Sequence, residues 1–223
     1  MKSEILLNKL IKLSAWADEN LERSALLQSL IEEVKTEVRM TNAKVNGKGN
    51  VQKLIEALFK GVKGTPYEEK LRYAHTCEDG KQYVTDTYRM LRFSDPLPLP
   101  EAPGHLKMNL DRAFNGCCKN TIEAPQPLEM PDLVGLKAFV KLKKAQNMEA
   151  RFDFGFGLPM VDARFLLSIM EAFPDAKACC SARFETASGK NFSPIVWEKE
   201  NGDIAVLLPL NPKDNEKRER TVV

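Results

Sequence analysis

Val51-Gln52-Lys53-Leu54-Ile55-Glu56-Ala57-Leu58-Phe59-Lys60-Gly61-Val62 is followed, after a spacer, by Gln82-Tyr83-Val84-Thr85-Asp86-Thr87-Tyr88-Arg89-Met90-Leu91-Arg92-Phe93. In the first stretch Val51, Leu54, Ile55, Leu58, Phe59 and Val62 recur at helical spacing, while Lys53, Glu56 and Lys60 take the other face. This pattern predicts an amphipathic helix with Asn50 as its cap. The second stretch is rich in β-branched and aromatic residues and reads as a strand, as does Leu71 to Cys77 before it. Asp79-Gly80 between the two is a hairpin signal.

The same order recurs toward the other end. Arg151 to Phe156 alternates like a strand. Val161 to Phe173 reads as a helix capped by Asp162, with Phe165, Leu166, Ile169, Met170 and Phe173 as its stripe and Pro174 past its end. Lys177 to Phe184, Ile195 to Lys199 and Ile204 to Leu210 read as strands, the last two joined at Asn201-Gly202. The two runs look like a duplicated helix-plus-strand unit. Between them, prolines at 96, 98, 100, 103, 125 and 127 make Pro96 to Met130 an irregular insertion, without a continuous helix or central strand. A helix from Pro131 to Gln146, with Pro131 at its first position, sets Lys137, Lys141, Lys143 and Lys144 against Leu133, Leu136, Phe139 and Val140.

Ahead of these units, Ser3 to Met40 reads as two helices. Ser3 and Ser24 are candidate caps, and Asp18-Glu19-Asn20 is a candidate hairpin bend. The expected class is α+β. A helical extension over 1–46 precedes a domain over 51–211 that carries an insertion at about 96–150, and 212–223 is a charged, frayed tail. The formal net charge of +2 is too near neutral to mark a nucleic-acid binder, so any such surface must come from local clustering. No apolar run approaches the ~20 residues of a membrane span, and no export signal is evident. A cytoplasmic location with five free thiols (Cys77, Cys117, Cys118, Cys179, Cys180) is expected.

The residues then suggest a family. Gln52 to Ala57, the hairpin, and Val84-Thr85-Asp86-Thr87-Tyr88-Arg89-Met90 resemble a half-domain of the bacterial processivity clamp, the beta subunit of the replicative polymerase. There a helix is followed by strands ending in a Thr-Asp-Gly-x-Arg-Leu signature. Val161 to Phe173 looks like the last clamp helix, and Ile204-Ala205-Val206-Leu207-Leu208-Pro209-Leu210 resembles the terminal clamp strand. The likeness covers Val51 to Phe93 and Leu158 to Asn211, under half of the chain.

The resemblance implies a DNA-clamp-like α+β fold of two layers, with helices lining a hole for duplex DNA and sheets outside. Lys53, Lys60, Lys63 and Arg164 would then face the DNA, because nonspecific grip needs cations near phosphates. Lys137, Lys141 and Lys144 are a further basic set for DNA, though the resemblance does not reach them. It also implies a pocket for peptides of polymerases or other replication proteins, at Thr85, Thr87, Tyr88, Arg89, Met90, Val206, Leu208 and Pro209. Thr87 stands where the family has Gly, Tyr88 where it usually has His, and Asn211 where it has Arg. In the family the two parts of the pocket come from adjacent domains, whereas here they come from two halves of one. Encirclement takes about six such domains in a closed ring, so the alternatives are a homo-oligomer or an accessory without a ring.

Plainer readings stand beside these. The lysines can form a solvated helix face, and Thr85 to Tyr88 can be ordinary strand residues. An interaction module without DNA contact is the alternative function, motivated by the N-terminal helices. Catalysis has little support: His75 and His105 sit in no nucleophile pattern, and Phe154-Gly155-Phe156-Gly157 lacks the third glycine of a dinucleotide loop. No cofactor is expected. Adjacent cysteines in a strand point to opposite faces, so Cys179 and Cys180 do not suit one metal ion.

Overall fold

The computed structural model describes residues 49–183, 190–211 and 219–223, with single positions between 8 and 38. The chain divides into two compact units, Met1–Lys53 and Leu54–Val223. In the first, the described positions between 8 and 38 are helical, and Ile31 and Val34 are buried. The bend at 18–20 and the caps at Ser3 and Ser24 lie outside the described residues.

The first fully described helix, α1, is Gly49–Gly61. Its stripe is buried at Val51, Leu54, Ile55 and Leu58, and Val62 just beyond it is buried too. Asn50 lies inside the helix and does not cap it. A four-residue helix α2, Glu68–Leu71, then replaces the start of the expected first strand, leaving β1 only His75–Thr76. Gly80, at φ +78°, takes the left-handed position of the turn that follows. The run from Gln82 to Phe93 is two strands and not one: β2 (Gln82–Thr85) and β3 (Arg89–Phe93) fold back at Asp86-Thr87-Tyr88.

The expected irregular insertion contains a 14-residue helix, α3 (Leu110–Glu123), capped by the Asn109 side chain on the Arg112 amide. The prolines flank it at 103 and 125 and do not interrupt it. Its buried residues Leu110, Phe114, Cys118 and Thr121 recur at helical spacing. Next comes β4 (Pro125–Pro127), which tolerates two prolines because it is an edge strand. Helix α4 (Leu133–Ala145) starts from Asp132, which caps the Gly135 amide, so Pro131 lies before the helix. A separate two-stranded sheet holds β5 (Arg151–Asp153) and β6 (Met160–Asp162). Helix α5 (Ala163–Ala172) has the expected Asp162 cap. Strands β7 (Lys177–Ser181), β8 (Ile195–Glu198) and β9 (Ile204–Leu207) complete the regular structure among the described residues.

Seven strands make one antiparallel sheet in the order β1-β2-β3-β9-β8-β7-β4. Cross-strand pairing puts Tyr83, Met90, Ile204, Val206 and Val196 on one face. There α3 lays Leu110, Phe114 and Cys118 against them, with Cys77, Met108 and Cys179 at the margin. Helix α5 packs beside β9 on the strength of its buried Leu166 and Ile169, and α4 packs on α5. The last residues are not frayed as expected. The Thr221 amide donates to the Asp153 carbonyl at 2.7 Å, and the Asp153 amide donates to the Thr221 hydroxyl at 3.0 Å. Residues 212–218 of the expected tail lie outside the described ones.

Candidate functional site

The turn between β2 and β3 is built by its own side chains. Asp86 accepts the Tyr88 amide at 3.1 Å and the Arg89 amide at 2.7 Å on Oδ1. Its Oδ2 accepts Arg89 Nε at 3.0 Å and Nη2 at 2.6 Å. The Thr85 hydroxyl donates to the Arg89 carbonyl at 2.7 Å and accepts the Thr87 amide at 3.1 Å. Short polar side chains that bond the backbone two or three residues on make turns, which explains why this run of β-formers reverses direction. The bend carries Thr87 at φ +77°, unusual for a β-branched residue.

The Asp86–Arg89 ion pair is buried, at 3% and 5% side-chain exposure. Arg89 also donates from Nη1 to the Ser168 hydroxyl at 3.1 Å and lies 4.1 Å over the Phe165 ring, both on α5. Tyr88 stays exposed and tilts against Phe165, ring centroids 6.0 Å apart. On the other side, a Cβ on Gly61 at the end of α1 would come within 3.2 Å of the Asp86 carboxylate. Close approach at this point favours glycine.

Beside this turn lies a cleft of about 260 Å³ with an apolar wall. The turn and β3 supply Thr85, Thr87, Tyr88, Arg89 and Met90; the end of β9 supplies Val206 and Leu208. These seven residues of the expected peptide pocket therefore meet within one compact unit, because β3 pairs with β9 through Met90 opposite Val206. Pro209, the eighth, does not line the cleft. It sits where the chain leaves one sheet for another: the Leu208 amide donates to the Tyr88 carbonyl, and the Leu210 amide to Met160. A residue without an N–H fits between two such donors.

The opposite wall is not legible in the sequence motifs. Tyr67, Leu71, Met108, Leu110, Ala113 and Cys117 complete the cleft, most of them from α3 and its lead-in. The spacing of Leu110, Phe114 and Cys118 after Asn109 was the available signal. Met108 is held by His75, whose Nδ1 accepts the Met108 amide at 3.1 Å while Nε2 faces the Lys70 carbonyl at 3.0 Å. The Met108 contact needs an unprotonated Nδ1, and burial lowers the ring's pKa from the ordinary 6.5, with the Lys70 carbonyl opposing that shift. Cys117 is exposed on the cleft wall. Its Sγ lies 3.5 Å from that of buried Cys118 and 3.3 Å from the Phe114 carbonyl. The Cys118 contact lowers the Cys117 pKa and raises that of Cys118.

The expected DNA-facing cations fall on three places. Lys53 and Lys60 are exposed on α1, and Lys63 is exposed just after it. Arg164 pairs with Asp162 at 2.5 Å, and Lys137 with Glu171 at 2.8 Å. Lys141 and Lys144 are exposed on α4. All five cysteines are free thiols. Among the described residues no group of three His, Cys, Asp or Glu is arranged to hold a metal, and no helix is long and apolar enough to cross a membrane. No protein-family model, curated protein or solved structure matches the chain.

Proposed function

We propose that this chain is a non-enzymatic, sliding-clamp-like accessory protein whose cleft docks a short apolar peptide segment of a polymerase or other replication protein. The convergence of Thr85, Thr87, Tyr88, Arg89 and Met90 with Val206 and Leu208 on one apolar cleft carries this reading. Two methionines, Met90 and Met108, give the wall the adaptability that a site for several related peptides uses. The sheet order is consistent with the duplicated architecture. Strands β1-β2-β3 follow α1, strands β7-β8-β9 follow α5, and the final strands of the two sets, β3 and β9, pair.

Duplex DNA is the second partner on this reading. Lys53, Lys60 and Lys63 would contribute charge without base contacts. Arg164 and Lys137 contribute less, since each already holds a carboxylate. Fluorescence anisotropy with a labelled duplex of arbitrary sequence tests this arm. Lys53→Glu with Lys60→Glu should weaken binding roughly tenfold or more and flatten its salt dependence, because each lost phosphate contact removes released counterions. Unchanged affinity and slope would leave the alternative, a peptide-docking module without DNA contact. The ion pairing of Arg164 and Lys137 favours that alternative as the second reading.

A further inference from the structure

The cleft holds one group with chemistry of its own. Cys117 is exposed on its wall, in a lining that it shares with Met90, Met108, Leu110, Val206 and Leu208. The Cys118 thiol, fully buried beneath it, can donate to the Cys117 sulfur across 3.5 Å. That donation favours the thiolate, the form that attacks carbon. The Phe114 carbonyl at 3.3 Å can take the thiol proton's hydrogen bond in the resting state. The other cysteines lack this combination. Cys118 and Cys180 are buried, Cys179 is half-buried with its thiol pushed up by burial, and Cys77 lies outside this cleft.

We propose that Cys117 is a site of covalent addition to α,β-unsaturated carbonyl compounds that carry an apolar tail, with the cleft holding the tail. The sulfur forms a bond to the β-carbon of the alkene. The alkene π pair moves onto the α-carbon and carbonyl as an enolate, which takes back the proton that the thiol released to solvent. Nothing leaves and nothing is oxidised. The about 260 Å³ of apolar space beside the sulfur selects the tail, each buried methylene multiplying affinity roughly fourfold. The site needs only the cleft and the thiol, and stands whether or not a peptide docks there.

The test uses the full chain at neutral pH with two probes, acrolein and 2-octenal, each rate normalised to that of the same probe with glutathione. Peptide mapping by mass spectrometry should find the first octenal adduct on Cys117, with a normalised preference for octenal over acrolein of roughly tenfold or more. Excess 1-octanol, which needs no variant, should slow octenal and leave acrolein unaffected. Ala113→Trp, an exposed position on the cleft wall, should bring the preference near one while Cys117 still reacts with acrolein. Equal normalised rates for the two probes, or another cysteine reacting as fast as Cys117, would overturn the proposal.

Discussion

At the scale of single residues, two buried polar groups control the site. Asp86 satisfies four donors, two of them on the Arg89 guanidinium. Asp86→Ala leaves that guanidinium buried with one fewer charge beside it, so the variant should lose about 3–5 kcal/mol of stability in urea unfolding. A loss within the range of a surface substitution would mean that the pair is not the turn's anchor. His75 acts through pH. Its folded pKa lies below the 6.5 of a free ring, so the unfolded chain binds the proton first. Stability is therefore full above pH 6.5 and falls as pH drops from 6.5 toward the folded value. The Lys70 carbonyl and Glu101 oppose this shift and Lys107 adds to it. Thermal melting should show a lower Tm at pH 5.5 than at 7.5, and a smaller difference in His75→Gln.

At the scale of elements, the β2–β3 turn is the place where local preference and tertiary need disagree. Thr87 adopts a conformation suited to glycine. Thr87→Gly should raise stability by roughly 0.5–1 kcal/mol, since relief of left-handed strain outweighs the added freedom of the unfolded chain. A destabilised Thr87→Gly would show that the threonine side chain contributes more than its backbone costs. The same turn shows what was legible in the sequence. The stripes of α1 and α5, the Asp162 cap and the Asn201-Gly202 hairpin were readable, because periodicity and caps are local signals. The reversal at Asp86 was not, because Thr85, Thr87 and Tyr88 average to a strand while side-chain hydrogen bonds decide the geometry. Helix α3 was hidden by flanking prolines and by Asn115, Gly116 and two cysteines of weak helix preference. Its burial on the sheet outweighs that weakness.

At the scale of the whole molecule, α3 changes what the sequence resemblance implies. It covers one face of the sheet with Leu110, Phe114 and Cys118, and α5 lies beside β9 on the other face. The arrangement is thus helix, sheet, helix, where two layers were expected. The cleft depends on this third layer, since Leu110, Ala113 and Cys117 form the wall facing β3 and β9. Half of the site was therefore legible from the Thr85–Met90 and Val206–Leu208 stretches, and half came only with tertiary packing. The last described residues contribute as well: Thr221 ties the segment after 218 to β5, far in sequence from its partner.

On the proposed reading, the cleft between α3 and the β3–β9 pair docks a short apolar peptide. The most direct measurement is an NMR titration of the isotopically labelled chain with pooled five-residue peptides bearing two or more Leu, Met or Phe side chains. A docking cleft gives saturable shifts confined to Thr87, Tyr88, Met90, Leu110, Ala113, Val206 and Leu208, and loses them in Leu208→Asp, with the rest of that variant's spectrum preserved. Saturable shifts elsewhere on the chain, or none at millimolar peptide, would contradict it.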